Sequence, residues 1–171
     1  DETWAPLHSA NFKAYADNGD YNDILFHNVL SNSLIQTGTY NADSEFIETL
    51  EPVASEAQNG LLNYRGRLVA TRNYDEPDSA TSGFLINIYN NPGFGYGQTS
   101  DLHGLSVFGG VVAGMDVVDA ISDVKVTSVE NFGLKPDEDV IINTVSATSC
   151  PAEAETIENK VIVLPFPVNA N

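Results

Sequence analysis

The stretch FHNVLSNSLIQ (26–36) sets His27, Asn28 and Gln36 inside an otherwise apolar run. An imidazole and two carboxamides can donate and accept hydrogen bonds, so they could orient or polarise a substrate amide. At that spacing they could equally be strand residues facing water. Other chemistry is poorly supported. His8, His27 and His103 lie far apart and lack metal-ligand spacing, and there is no HExxH, CxxC or Walker pattern. GFGYGQ (93–98) has closely spaced glycines but does not run from a strand into a helix, so it reads as a flexible loop rather than a dinucleotide cradle. No GxSxG elbow supports a hydrolase triad. Cys150, the only cysteine, has no base in SATSCPAEAET and reads as a passive thiol.

With 171 residues and 42% hydrophobic content, the chain can bury the core of one domain. A formal charge of −17 disfavours nucleic acid and anionic lipid, because few cations are available to displace counterions. The charge fits a solvated acidic surface, with an acidic docking face as the other reading. No window has the roughly 18–20 apolar residues that a membrane helix needs. The first residue is Asp, which fits a processed chain; a removed signal peptide is one explanation, and a periplasmic or secreted location is expected over a cytoplasmic one.

The elements that must hold these groups are mostly strands. Pro6 near the start of APLHSANFKAYADNG and Gly19 after it predict a helix with Phe12, Tyr15 and Ala16 on its inner stripe. A second helix is expected at GMDVVDAISDV, where Met115, Val118 and Ile121 recur with Val117 alongside. Strands are expected at 24–30, 34–40, 66–72, 83–89, 105–112 and 139–148, from β-branched and aromatic runs between Gly, Asn and Pro clusters. Many strands with two helices suggest a closed barrel or sandwich with the helices as caps. The connections 39–64 and 90–104 are long enough to mark functional loops.

Several blocks occur in an order that resembles the cyclophilins: SANF (9–12), GDYND (19–23), FHNV (26–29), LIQTG (34–38), EAQNGLLNYRG (56–66), PDSATSGFLIN (77–87), NNP (90–92) and VFGGVVAGMDVVDAIS (107–122). PDSATSGFLIN and VFGGVVAGMDVVDAI are the most specific, and the likeness, closest to compact bacterial forms, spans roughly 5–148. The resemblance implies a mainly β fold, an eight-stranded antiparallel closed barrel capped by two helices. It implies peptidyl-prolyl cis-trans isomerisation without a cofactor or metal. The expected partners are proline-containing or unfolded client peptides, and the protein is expected to be a monomer.

The resemblance also places the site. Phe26, His27, Val29 and Gln36 match the family pattern, but Asn28 stands where an Arg is usual, and Ser33 and Leu34 stand where Phe and Met are usual. Ser82-Gly83-Phe84-Leu85 replaces Ser-Gln-Phe-Phe, Leu105 replaces a His or Tyr, and Thr71 replaces an Ala. Arg72 matches a frequent bacterial choice. The expected catalytic positions are therefore Asn28 and Gln36. The expected substrate contacts are Phe26, His27, Leu34, Thr71, Arg72, Gly83, Phe84, Leu85, Phe94 and Leu105. Losing the guanidinium removes a fixed cation with five donors, and the smaller wall holds a proline less well. Weak activity and weak or no cyclosporin binding are the expectation, with a non-catalytic proline-peptide-binding or chaperone-like module using the same cleft as the alternative and Arg65 or Arg67 as candidate substitute cations.

Family members normally begin with a strand before the AP that opens the first helix, whereas DETWAP reaches that point after four residues. The chain thus reads as a barrel over 1–148 lacking its first strand, followed by an extension over 149–171. Val161–Leu164, within NKVIVLPFP, resembles that strand and is expected either to fill its place or to pack elsewhere on the surface.

Overall fold

The computed structural model describes residues 1–146. Cys150 and the Val161–Leu164 segment lie outside them. Both expected helices form. Helix α1 (Pro6–Asn18) has Pro at its first position and ends on Gly19, whose φ of 81° lies in the left-handed region that glycine enters without strain. Phe12, Tyr15 and Ala16 are buried along it, as the stripe predicts. Helix α2 (Met115–Ser122) buries Val118 and Ile121.

Nine short strands are present among the described residues: β1 (Ile24–Leu25), β2 (Asn28–Leu30), β3 (Leu34–Thr37), β4 (Arg67–Ala70), β5 (Phe84–Asn87), β6 (Val107–Gly110), β7 (Val126–Val129), β8 (Gly133–Pro136) and β9 (Ile141–Ile142). Five form one antiparallel sheet in the order β2-β3-β5-β4-β6, while β1 pairs with β9 and β7 with β8. The closed barrel implied by the resemblance is not completed by hydrogen-bonded ladders among the described residues.

Two departures from the expected strands have local causes. The run 24–30 is divided because its backbone changes partners: Leu25 N donates to Tyr40 O, Phe26 N to Val140 O and His27 N to Gln36 O. The β7–β8 hairpin was not anticipated. Its turn contains Asn131 at φ 70°, and Gly133, which opens β8, has φ 86°; both residue types tolerate the left-handed region.

Alternation along the strands divides the main sheet into two faces. Val29, Ile35, Leu68, Phe84, Ile86 and Phe108 face the inner core with Phe12, Tyr15 and Tyr21 of the α1 region. The outer face carries a second, smaller apolar cluster of Leu34, Val69, Leu85 and Val107, with Leu30, Leu61, Phe94 and Leu105 packed against it. The two long connections supply part of this outer cluster. Loop 39–64 is held by Glu56, whose carboxylate accepts from Leu7 N (3.0 Å), His8 N (2.9 Å) and the His8 ring (2.7 Å) at the start of α1. Asn59 then donates to Val107 O (2.9 Å), which places Leu61 against the sheet.

Candidate active site

Cross-strand register sets Asn28, Gln36, Leu85, Val69 and Val107 side by side across the outer face. At the interstrand spacing of a sheet this row is about 19 Å wide. One end is polar and the rest apolar.

The carboxamide orientations follow from their partners. Leu134 N can only donate, so the atom of Asn28 facing it at 3.0 Å must be Oδ1. Asn28 Nδ2 then points at Gln36, whose Oε1 accepts at 3.1 Å. Gln36 Nε2 is left with two hydrogens and no partner among the described residues, and Asn28 Nδ2 keeps one. The polar end therefore offers neutral N–H donors and no fixed cation. Hairpin β7–β8 is part of this arrangement: a Cβ on Gly133 would come within 2.7 Å of Asn28 Oδ1, so glycine permits the close approach.

The apolar end is built from Leu34, Leu85, Leu105 and Phe94, with Leu61 beside them. Phe94 lies in a short 3₁₀ turn, Pro92–Phe94, and its carbonyl accepts from Leu105 N at 2.8 Å. Ser33, standing where the resemblance implies an aromatic, belongs instead to an asparagine network. Asn91 Nδ2 donates to Ser33 O (3.0 Å) and to Asn87 Oδ1 (2.8 Å), and Asn91 N donates to Asn63 O (2.7 Å).

Of the remaining expected contacts, Thr71 and Gly83 lie on the outer face beyond Val69 and Leu85, whereas Phe26, His27, Phe84 and Arg72 are engaged elsewhere. Phe84, one residue before Leu85, faces the other way and packs its ring against Phe12 and Tyr21 in the inner core, with 1% exposure. Phe26 is buried in the same core. His27 is enclosed by Tyr40 and Phe132 at ring-centroid distances of 5.0 and 6.5 Å, away from the outer cluster. Arg72 is spent internally: its nearly buried guanidinium pairs with Asp101 at 2.7 Å, donates to Gly104 O from Nε (3.0 Å) and to Asn73 O (2.7 Å). Arg65 is held on the α2 side by Asp119 (2.7 Å) and Ile88 O (2.7 Å), so it is no substitute cation. Arg67 lies alongside Gly110 at the far edge of the row.

Sequence reading missed Val69, Val107, Leu61, Leu134 and Asp101 as contributors. Strand alternation around 67–70 and 107–110 could have exposed the first two; the others depend on loop paths. Asp101 is the organiser of loop 90–104: it accepts from Arg72, Thr99 Oγ1 (2.7 Å), His103 N (3.1 Å) and Asp75 N (3.1 Å).

His27 and Asp101 are expected to give the protein a stepped acid response. Burial lowers the His27 pKa to about 4, chiefly by desolvation of the charged ring. Between pH 6.5 and 4 the unfolded chain therefore binds a proton that the folded protein refuses, and stability falls as pH falls. The expected loss approaches about 3 kcal/mol, at about 1.4 kcal/mol per pH unit. The Arg72 and Thr99 hydrogen bonds hold the Asp101 carboxyl well below the usual carboxylate range. Its contribution is complete above about pH 4 and declines as pH falls toward the folded-state value. Urea unfolding from pH 7 to 3 should show the first slope abolished in His27→Phe and the second reduced in Asp101→Asn, the remainder coming from Asp119, which its Arg65 partner also holds low.

No helix among the described residues is long and apolar enough to cross a membrane, and no group of three or more His, Cys, Asp or Glu there could hold a metal. The family described as "Cyclophilin type peptidyl-prolyl cis-trans isomerase/CLD" matches residues 1–147. The chain is 38% identical over 144 residues to peptidyl-prolyl cis-trans isomerase A of Dickeya dadantii, covering 84% of this chain and 74% of that protein. It is 39% identical over 145 residues to isomerase B of Escherichia coli K12, covering 84% and 88% respectively. A Cryptosporidium parvum cyclophilin, crystallised in the presence of the dipeptide Ala-Pro, superposes with a TM-score of 0.68 at 19% identity over 87% of this chain and 89% of that one. A two-helix, mainly β fold and a match along the described residues agree: this chain belongs to the cyclophilin-type peptidyl-prolyl cis-trans isomerase family.

Proposed function

We propose that the outer row is the active site of a weakened isomerase acting on X-Pro bonds of extended or unfolded peptides. Rotation about that bond breaks nothing and meets a barrier of roughly 18–20 kcal/mol. At the twisted geometry the proline nitrogen loses resonance and becomes a better acceptor, so a donor aimed at it favours the transition state over the ground state. The apolar end, Leu34, Leu85, Leu105 and Phe94, suits a proline ring, and Gln36 Nε2 with the spare Asn28 hydrogen supplies donors. The Ala-Pro dipeptide associated with the C. parvum cyclophilin supports a proline ligand for the cleft.

The observation that carries the weakness is the engagement of Asn28. Its oxygen is taken by Leu134 and one of its hydrogens by Gln36. What remains is one neutral N–H where the family usually presents a guanidinium. Removal of one preorganised donor costs about 10²–10³ in rate in other enzymes. The same observation favours, as a second reading, a proline-peptide-binding or chaperone-like module that uses the cleft without turnover. A protease-coupled assay on a proline tetrapeptide, run beside NMR titration with the same peptide, tests both. A rate above the uncatalysed background with shifts at Leu85 and Leu105 is expected. Shifts without a rate would leave the binding module, and neither would reject the cleft.

A further inference from the structure

Gly83 and Thr71 form a feature that proline binding does not use. Gly83 precedes Leu85 by two residues and Thr71 follows Val69 by two, so both lie on the outer face. They are adjacent, with Thr71 N donating to Gly83 O at 3.0 Å. A Cβ built on Gly83 would fall 2.4 Å from Thr71 Oγ1 and 3.1 Å from Thr39 Oγ1. A side chain at 83 would require the Thr71 hydroxyl to move. The result is a notch floored by bare glycine and flanked by two hydroxyls, all three residues partly exposed. Neither hydroxyl has a hydrogen-bond partner among the described residues.

We propose that this notch is a specificity subsite that selects a hydroxyl- or carboxamide-bearing client side chain two positions from the proline. The inference rests on the cleft reading above. Residues two apart on a strand are about 6.6 Å apart, the same step as in an extended client. A client lying along β5 with its proline ring on Leu85 thus presents the side chain two positions away to Gly83. Each threonine hydroxyl can donate and accept, which matches Ser, Thr or Asn. A valine in the notch would strip water from both hydroxyls and return nothing, and polar sites discriminate most strongly against ligands that leave them unpaired.

Thr and Val have nearly the same shape, so they isolate the hydroxyl. The test is NMR titration of the full chain with hexapeptides holding one proline and either Thr or Val two positions before or after it. At one of these positions Thr should bind about three- to tenfold more tightly than Val, the worth of one hydrogen bond. Thr71→Val should erase that ratio and Thr71→Ser keep it. Amide shifts at Leu85 and Leu105 report cleft binding independently. If these shifts occur but Thr and Val bind equally at both positions, or the ratio survives in Thr71→Val, the notch is overturned and the cleft stands. If no peptide moves Leu85 or Leu105, the cleft reading fails and the notch with it.

Discussion

Asn28→Arg is expected to raise kcat/KM for a proline tetrapeptide by about 10²-fold in the protease-coupled assay, the scale of one preorganised donor. Residue 28 leaves β2 on the outer face directly opposite Gln36, so an arginine there starts from the row that holds the apolar cluster. Its guanidinium adds a fixed charge and several donors at the point where the amide nitrogen becomes an acceptor. The substitution also takes the acceptor from Leu134 N, a surface bond, so it should cost about 1 kcal/mol of stability. Asn28→Ala separates the two effects: it loses the same acceptor and should show the same stability loss with no rate gain. If arginine brings no gain, the limit lies in the wall, where Ser33 is committed to Asn91 and Leu85 is smaller than an aromatic.

Restoring the family's glutamine at 83 is a different matter. Gly83→Gln alone should not help, because its Cβ would lie 2.4 Å from Thr71 Oγ1 and that hydroxyl would have to swing aside first. Two departures that look independent in the sequence, a glycine for a glutamine and a threonine for an alanine, are one steric event in the fold. Sequence reading counted both as erosion of the pocket. The geometry makes them a matched pair.

What could be read beforehand was whatever depends on local pattern. Pro6 and Gly19 bracket α1, and the spacing of Met115, Val118 and Ile121 marks α2, because caps and periodicity act within a few residues. The outer-face positions of Asn28, Leu34, Gln36 and Leu85 were legible as well, since alternation and ordered motif matches constrain them. The partners of charged groups were not. Arg72 sits next to Thr71 in the chain, yet its ion pair is with Asp101, on a loop whose path no periodicity encodes. His27 is next to Asn28 but turns into an aromatic cage completed by Phe132 of the hairpin. Such contacts are long-range and depend on loop closure.

The sharpest case of two faces in one strand is the pair Phe84 and Leu85, and it yields the largest expected stability effect. Phe84 is 1% exposed and makes edge contacts to Phe12 (5.2 Å) and Tyr21 (5.5 Å), in a core whose members interlock with α1. Phe84→Ala should cost about 3–5 kcal/mol, because it removes a large buried ring and leaves a cavity that the helix cannot collapse to fill. For a domain whose total stability is about 5–15 kcal/mol, that is a large fraction. Leu85→Ala removes a side chain from the smaller outer cluster, at whose rim Phe94 and Leu105 remain partly exposed and can settle inward. Its stability loss should fall near the low end for leucine truncation, about 2 kcal/mol, while peptide affinity drops by about tenfold or more as the proline wall loses buried area. Urea unfolding and NMR titration on both variants, at a temperature where Phe84→Ala is still folded, read the two effects separately. Phe84→Ala should keep the affinity of its folded fraction, and Leu85→Ala should not. The reverse pattern would exchange the roles of the two faces and move the binding cleft to the inner side of the sheet.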